Sequence, residues 1–514
     1  MSPKKSFITG AIVLMAAGLI VRLIGFVYRI YISNLLGSEG MGLFQLISPV
    51  YSLIILTLTS GVSIAISRLV AQEIARGNFA NSRRITLVAL LLVFAAGSVV
   101  SIILLINARF IADELLKDSR TYYSILLLIP CIPIIALSST LKGYFYGIQD
   151  VTPTAISQVA EQIVRIGLVI VASGKYLERG LEYACAFATA AMSIGEMASL
   201  LVLYLMYKIG IKKYMPKKQK GRLMRKRTIV SELLKISLPI SSNKFITSTM
   251  AAIEYILIPR RLLAGGMNYQ ESIELYGRLT GMAMPLISFP SLVTSSLAVT
   301  LVPAIAEALS LRNYRTLNSR VSKSIQTTLM LGIISSALFM SYPNEIGDVI
   351  FKKENVGELL YMLSFSCTFI YLQQTLAGML NGLGKQNVSL RNSIIGYIIR
   401  IAFIYFLIPV YGIKIYIIAL FVSSIIICVL NLSTVVKTTG MMINIRNWIL
   451  KPGLVGVIMF LISKYILAFF SMFIKHELLI VCFSVAGNIA VGLMLMAMLG
   501  LLRKEHISRM IGLK

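Results

Sequence analysis

The chain has few charged residues, and acidic residues are the scarcest. Only 14% of its 514 residues are charged, with 21 Asp and Glu against 49 Lys and Arg, whereas 57% are hydrophobic. The mean hydropathy is +0.83. A water-soluble core cannot hide that much apolar surface. The composition therefore predicts an integral membrane protein.

Cysteine and histidine are almost absent, and neither forms a motif. The cysteines stand singly in apolar segments without Cys-x-x-Cys spacing, so neither a disulfide framework nor a metal site is predicted. They are Cys131, Cys185, Cys367, Cys428 and Cys482. His476 and His506 lie near predicted helix ends, where a buried proton relay is not expected. No P-loop is present, so we expect no cofactor, and energy would come from an H⁺ or Na⁺ gradient or from the membrane potential.

Apolar runs of about twenty residues recur along the whole chain. Each could cross roughly 30 Å of hydrocarbon as a helix, and helices are the only structure consistent with such lengths because unpaired backbone groups are not tolerated there. The first run follows Lys4 and Lys5 and extends to about Ile32, which is too long for a signal peptide, so we expect a retained helix. The sequence predicts an all-α integral membrane protein with about 14 transmembrane helices.

The second half of the chain repeats part of the first half. Thr140-Leu141-x-Gly143-x-x-x-Gly147 returns as Thr375-Leu376-x-Gly378-x-x-x-Gly382, and Ile163-x-Arg165-Ile166 returns as Ile398-x-Arg400-Ile401. Thr59-Ser60 and Asn78 return in the same way as Thr294-Ser295 and Asn313. Every pair is separated by 235 residues, as from Thr140 to Thr375. The chain is therefore predicted to be a duplicated membrane protein.

The duplication predicts the domain organisation. We expect an N-lobe over 1–210, a basic interlobe loop over 211–230, a C-lobe over 231–440, and two further helices with a tail over 450–514. Each lobe would hold about six spans, an even number, so both copies enter the membrane from the same face and the lobes are parallel. Two such bundles are expected to leave a cavity between them, where transporters place their substrate.

The basic loops predict the orientation. The segment 208–227 carries many Lys and Arg residues and no acid, and alternate connections and the C-terminal tail are also basic. Because cytoplasmic loops of membrane proteins are enriched in Lys and Arg, both termini are expected in the cytoplasm, with the protein in the cell membrane. Membrane topology already accounts for this charge, so we predict no nucleic-acid partner.

Five arginines in or beside the predicted spans are candidates for substrate binding. They are Arg22, Arg29, Arg260, Arg261 and Arg278. An arginine near the bilayer centre costs roughly 2.5–3.5 kcal/mol on insertion scales, so it must reach a polar cavity, a partner or the interface. Arg22 and Arg29 are two helical turns apart on one face. For Arg29, Arg260 and Arg261, interfacial snorkelling is the alternative, and for Arg22 it is a structural ion pair.

Other intramembrane polar residues suggest different roles. Arg165 and Arg400 are repeat-related, which favours a structural role; Arg165 can pair with Glu161 four residues earlier, where the copy has Gly396. Glu161, Glu196 and Glu254 are candidates for a proton or ion site. The small-x-x-x-small pairs of the repeated motif favour close helix packing over substrate contact. These glycines are Gly143, Gly147, Gly378 and Gly382.

Short motifs resemble a known superfamily. They are Arg22-Leu23-Ile24-Gly25-Phe26, Tyr276-Gly277-Arg278-Leu279, Leu301-Val302-Pro303 and the run Ser67-Arg68-Leu69-Val70-Ala71-Gln72-Glu73. With the basic interlobe loop and the predicted span layout, the chain resembles sporulation-type polysaccharide biosynthesis proteins. These proteins belong to the lipid II flippase branch of the multidrug/oligosaccharidyl-lipid/polysaccharide (MOP) exporter superfamily. The resemblance covers nearly the whole chain.

This resemblance implies a fold and a function. The fold would be a V-shaped pair of six-helix lobes, and the activity would be alternating-access flipping of an undecaprenyl-pyrophosphate-linked saccharide, similar to lipid II, for cell-wall or spore-cortex synthesis. By motif, Arg22 and Arg278 would contact the anionic carrier. The family's second arginine in this helix falls where the chain has Tyr28, one position before Arg29, and its second-helix arginine has no clear counterpart here.

Two other functions are consistent with the same sequence. One is a drug or cation antiporter of the same superfamily, with Glu254 and Glu161 binding protons, sodium or a cationic drug. The other is a membrane scaffold that helps to assemble wall-synthesis enzymes, its partners, without transporting anything. A transporter that makes or breaks no covalent bond is the favoured reading, so we predict that the chain is not an enzyme.

Overall fold

A computed structural model describes the backbone of residues 3–214, 223–352 and 354–501, and the side chains of these residues except 3–17, 173–175 and 211–214. The described residues are helical or in short connections, with no β-strand among them. The C-terminal tail after residue 501 and residues 215–222 of the basic interlobe loop lie outside this description, so the charges on those residues are not placed.

The described residues of the first half form eight α-helices. They are α1 (Pro3–Ala75), α2 (Phe79–Ile106), α3 (Ala108–Phe110), α4 (Tyr122–Leu128), α5 (Cys131–Gly147), α6 (Thr152–Leu177), α7 (Leu181–Tyr214) and α8 (Lys226–Ala264). The second half contains α9 (Tyr269–Tyr276), α10 (Met284–Ser288), α11 (Ser291–Ser310), α12 (Tyr314–Ser341), α13 (Pro343–Phe351), α14 (Gly357–Gly382), α15 (Gln386–Tyr411), α16 (Lys414–Thr439), α17 (Lys451–Phe473) and α18 (Glu477–Met498). π-Helical turns over Ile111–Leu115, Gly277–Ala283 and Arg446–Leu450, and a 3₁₀ turn over Ser119–Thr121, join neighbouring helices.

The apolar helices confirm a membrane protein and leave the number of spans open. Within the described residues, ten helices are long and apolar enough to cross a membrane, or eleven if the bent pair Ser119–Leu128 and Cys131–Gly147 is one span. One of the ten, α1, covers the first two predicted spans and is broken at Gly37, whose φ of 67° and ψ of −174° are not helical. A layout of fourteen spans in two parallel lobes stays a prediction.

The chain divides into two compact units, unit 1 (Met1–Ile256) and unit 2 (Leu257–Lys514). The boundary falls inside α8, later than the predicted basic loop, and the predicted lobe limits stay predictions. In unit 1, the backbone N–H of Met224, just after the undescribed part of the loop, donates to Asn81 Oδ1 at 2.9 Å. The end of the loop is thereby fixed to the start of α2.

The repeated glycines lie where helices cross. A Cβ on Gly143 would lie 2.7 Å from the carbonyl oxygen of Ser63, and one on Gly378 would lie 2.7 Å from that of Ala298. The two contacted residues, Ser63 and Ala298, are themselves 235 positions apart. A second pair of glycines follows the same rule: Gly97 lies against Pro133, and Gly332 lies against Thr368, which is 235 residues after Pro133. Each unit therefore repeats the packing of the other, which supports the duplication inferred from sequence.

Hydrogen bonds repeat with the same offset. Ser139 Oγ donates to the carbonyl of Thr59 at 3.1 Å in unit 1. In unit 2, Thr294 Oγ1 donates to Gln374 Oε1 at 3.1 Å. Thr294 is the counterpart of Thr59, and Gln374 is the counterpart of Ser139. The two copies join the same pair of positions with different chemical groups, so the geometry has been kept while the side chains changed.

The last two described helices, α17 and α18, pack against the rest of unit 2 through a buried polar contact. Tyr342 Oη donates to the carbonyl of Ser463 on α17 at 3.0 Å. Asn488 on α18 donates its amide to Tyr342 Oη at 3.2 Å and to the carbonyl of Met459 at 3.3 Å. Polar contacts of this kind hold helices together in lipid, where no hydrophobic force drives association. These hydrogen bonds therefore fix the positions of α17 and α18 along Tyr342 and the rest of unit 2.

Replacing the repeated glycines tests their role in packing. Gly143→Ala and Gly378→Ala place a methyl group against backbone, so each is expected to destabilise the protein by about 1–3 kcal/mol and lower its melting temperature in detergent. Gly167→Ala on α6 is the control, because a Cβ there meets nothing within 4 Å. Equal melting temperatures for the three variants would contradict the packing role.

Candidate anion-binding and ion-binding sites

A buried ion pair lies inside unit 1. Arg165 Nη2 donates to Glu161 Oε1 at 2.6 Å on α6, and the two side chains are only 12% and 11% exposed. The pair is the one that the i, i+4 spacing allows. It supports a structural role for Arg165, since a paired guanidinium avoids the cost of an isolated charge in hydrocarbon.

A second buried carboxylate lies next to this pair. Glu196 on α7 is 9% exposed, and its Oε2 has no hydrogen-bond partner in the described structure. Gly195 brings α7 close to α6, because a Cβ there would lie 3.0 Å from the carbonyl oxygen of Glu161. Glu161, Lys142 and Arg165 all lie within electrostatic range of Glu196. The four side chains form a buried charged cluster, which we call the unit 1 charge cluster.

Lys142 was missed by the sequence analysis. It occupies the variable position of the repeated motif Thr140-Leu141-x-Gly143, where the second copy has Ala377. The available signal for Lys142 was a charge inside an apolar helix, at a position where the two copies differ. Its electrostatic proximity to Glu196 could not have been inferred, because the two residues lie on different helices.

The repeat-related arginine in unit 2 has different surroundings. Arg400 is 8% exposed, donates from Nη1 to Ser423 Oγ at 3.1 Å and lies over the ring of Tyr397 at 4.6 Å. Gly396, which replaces the glutamate of unit 1, leaves room for the side chain of Ile427. Arg400 is thus held by a hydroxyl and an aromatic ring. The repeat keeps the arginine and changes how it is stabilised.

The candidate arginines of the first helix lie in unit 1. Arg22 is exposed and Arg29 is half-buried on α1, and Tyr28 between them is 8% exposed. Glu254, near the end of unit 1 on α8, is 3% exposed. The common vestibule predicted for Arg22 and Arg278 stays a prediction.

Three of the candidate arginines belong to unit 2. Arg260 and Arg261 lie near the end of α8, and Arg278 lies just after α9. A hydrogen bond from Ser272 Oγ on α9 to the carbonyl of Pro259 on α8, at 3.0 Å, joins the two helices. We call these three arginines the unit 2 basic corner. All three are half-buried.

The unit 2 basic corner has donors that the protein does not use. Arg261 lies over the ring of Tyr405 at 4.2 Å, and Arg278 Nη2 pairs with Glu274 Oε2 at 3.3 Å. The Nε–H groups of Arg261 and Arg278 are buried and have no acceptor within the part of the chain that the structure describes. A buried donor without an acceptor costs about 1–3 kcal/mol. Phosphate oxygens are suitable acceptors for both groups.

One of the acids expected to bind a cationic ligand already has a partner inside the protein. Glu161, assigned to cation binding under the antiporter alternative, already accepts from Arg165. No cluster of three or more His, Cys, Asp or Glu residues with metal-binding geometry occurs among the described residues. The antiporter alternative, with Glu254 and Glu161 as its acids, stays a prediction.

Comparison with known proteins identifies the family. The family model described as polysaccharide biosynthesis protein matches residues 7–309, and the MatE model matches residues 280–406. Stage V sporulation protein B of Bacillus subtilis (strain 168) is 31% identical over 98% of both chains. The chain belongs to the polysaccharide biosynthesis protein family.

Two further similarities place this family member in the MOP superfamily, as its motifs indicated. Lipid II flippase MurJ of Bacillus subtilis (strain 168) is 27% identical over 76% of this chain and 75% of its own. A solved structure of lipid II flippase MurJ in an inward closed conformation has a TM-score of 0.69 at 15% identity, covering 95% of this chain and 98% of the other. At that identity the structural match shows the fold alone. The protein is a membrane transporter of this superfamily and not an enzyme.

The buried ion pair can be tested by a double-mutant cycle. Arg165→Gln or Glu161→Gln alone leaves one buried charge, so each should destabilise the protein by about 3–5 kcal/mol, and the double variant should recover much of that loss. Thermal unfolding in detergent measures it. Lys117→Gln is the control, since the Lys117–Glu114 pair is 51% and 60% exposed, and it should cost at most about 1 kcal/mol. Additive effects of the two core substitutions would argue against the pair.

Proposed function

We propose that this protein flips a polyprenyl-pyrophosphate-linked sugar, a lipid II-like precursor, from the inner to the outer leaflet of the cytoplasmic membrane. Membership of a transporter family supports the transport step, and two relatives, a sporulation protein and a lipid II flippase, support a lipid-linked substrate. The observation that carries the proposal is the pair of buried Nε–H donors of Arg261 and Arg278 without protein acceptors.

Chemistry favours this substrate class. A pyrophosphate is anionic, and a guanidinium offers it planar, bidentate hydrogen bonding that an ammonium group does not. The guanidinium carbon of Arg261 lies 4.2 Å from the centre of the Tyr405 ring, and its Nε–H has no acceptor among the described residues. Arg278 retains one pair with Glu274 and offers its Nε–H. We propose that these groups, with Arg22, Arg29 and Arg260, bind the head of the lipid during an alternating-access cycle.

The arginine role is tested by transport in vesicles. Arg278→Ala and Arg22→Ala should each reduce flipping of lipid II about 10- to 100-fold, because each loses charge-assisted hydrogen bonds worth roughly 1.5–3 kcal/mol. Arg278→Lys should recover only part of the activity, since lysine cannot bind in a bidentate manner. The matched control is Arg315→Ala, an exposed arginine at the start of α12.

Reconstituted vesicles should compare lipid II with other polyprenyl-pyrophosphate sugars under imposed ion gradients. Full activity of the Arg22→Ala/Arg278→Ala double variant, with normal expression and melting temperature, would refute transport through these arginines. A wild-type protein that moves none of these lipids would support the scaffold alternative.

The energy source is a separate part of the proposal. We propose that Glu196 carries a proton, because its Oε2 is buried without a hydrogen-bond partner beside the Glu161–Arg165 pair. A carboxylate in such a place is stabilised by taking up a proton. The membrane potential would contribute about 2.3 kcal/mol per charge for every 100 mV.

The coupling role of Glu196 predicts a selective loss. Glu196→Gln mimics the protonated acid, so flipping driven by an imposed pH gradient should fall at least about tenfold, while binding of the lipid and the melting temperature stay near wild type. The measurement is the initial flipping rate with and without a pH gradient at fixed potential. An unchanged response to the gradient would remove Glu196 from the coupling step.

A further inference from the structure

A groove of about 480 Å³ lies in unit 1 between the end of α1 and the start of α8. Its lining includes Arg68, Leu69, Gln72, Glu232, Lys235 and Ile236. The volume lies within the range of about 300–1,000 Å³ of small-ligand sites. The lining combines apolar side chains with charged and amide groups, which suits a ligand with a polar head and an apolar tail.

The charges of this groove are not satisfied by the protein. Arg68 and Lys235 are exposed, and across residues 3–214, 223–352 and 354–501 neither side chain has an ion-pair or hydrogen-bond partner. By contrast, Arg76, in the turn directly after α1, is paired with Glu73 at 2.9 Å. Glu232 is the single acid of the lining, so two cations face one carboxylate. The excess charge favours an anion.

The position of the groove fits a lipid head. Arg68 lies seven residues before the end of α1 at Ala75, and Lys235 lies nine residues after the start of α8 at Lys226. At 1.5 Å per residue, both lie roughly 10–14 Å from helix ends that the basic loops predict to be cytoplasmic. Such a depth corresponds to the head groups and the first part of the acyl chains. The groove therefore lies where a lipid of the inner leaflet presents its phosphate.

We propose that this groove is an entry subsite for the pyrophosphate of the polyprenyl carrier, separate from the arginines described above. The inference rests on the proposed function. Arg68 binds phosphate oxygens through its guanidinium, and Lys235 adds a second positive charge. Leu69 and Ile236 contact the first isoprene unit. The carboxylate of Glu232 accepts a hydrogen bond from a hydroxyl of the attached sugar. This hydrogen bond distinguishes the sugar-bearing carrier from the bare pyrophosphate.

Binding in a background without the main arginines tests the subsite. The full-length Arg22→Ala/Arg278→Ala variant is placed in phosphatidylcholine nanodiscs, and the probe is radiolabelled undecaprenyl pyrophosphate. Binding should persist in this background and weaken about tenfold when Arg68→Gln or Lys235→Gln is added. Glu232→Gln should tighten binding of the bare pyrophosphate by severalfold, since it removes the one acid, and weaken binding of the sugar-bearing carrier.

Controls separate this subsite from general attraction to basic residues. Arg315→Gln, which changes an exposed arginine in unit 2, should leave binding unchanged, and phosphatidylglycerol should compete only weakly. An equal loss with Arg315→Gln, or displacement by phosphatidylglycerol at the affinity of the carrier, would overturn the proposal and indicate a general site for anionic lipids. Equal binding with and without Arg68→Gln and Lys235→Gln would also overturn it.

The outcome is distinguishable from failure of the proposed function. Transport of lipid II by the wild-type protein reports on the function, whereas carrier binding in the Arg22→Ala/Arg278→Ala background reports on the groove alone. Arg68 and Lys235 are exposed, so their glutamine variants should keep the wild-type melting temperature. Wild-type transport with no effect of the groove variants on binding or on the KM for lipid II would reject the subsite and keep the function.

Discussion

Close contact between helix backbones is the constraint on which the two halves of this protein depend. In lipid no hydrophobic force brings helices together, so association requires small residues at the crossings. Gly143 and Gly378 provide such crossings at positions 235 residues apart, and each meets a backbone carbonyl on the partner helix. The crossings fix the register of the neighbouring helices, and with it the positions of the charged residues that they carry.

The two copies differ in the partners of their repeat-related arginines, Arg165 and Arg400. In unit 1, Arg165 is neutralised by Glu161, and a second carboxylate, Glu196, lies nearby with an unused oxygen. In unit 2, Arg400 is held by Ser423 and Tyr397 instead. The arginine that the repeat retains therefore has different surroundings in the two units. In unit 1 it belongs to a charged cluster, whereas in unit 2 it contacts a hydroxyl and an aromatic ring. Duplication supplied the scaffold, and later changes gave the two units different chemistry.

Sequence reasoning reached the membrane class, the duplication, the family and the local Glu161–Arg165 pair, because each depends on composition or on neighbours along one helix. It did not reach the electrostatic proximity of Lys142 to Glu196 or the position of Arg261 over the ring of Tyr405, which involve helices distant in sequence. Hydropathy also could not fix the number of spans, since α1 runs through two predicted spans with a single break at Gly37. Candidate site residues could be named by type and motif, but their partners required three-dimensional packing.

The hydrogen bonds from Asn488 to Tyr342 and Met459 have a consequence for how this part of the protein comes apart. The Asn488 amide joins α18 to α17 and to the Tyr342 hydroxyl, and the same hydroxyl donates to the carbonyl of Ser463 on α17. Separating any one of these elements would leave buried polar groups without partners in lipid, at a cost of about 1–3 kcal/mol for each group. The three elements are therefore expected to separate together and not one at a time.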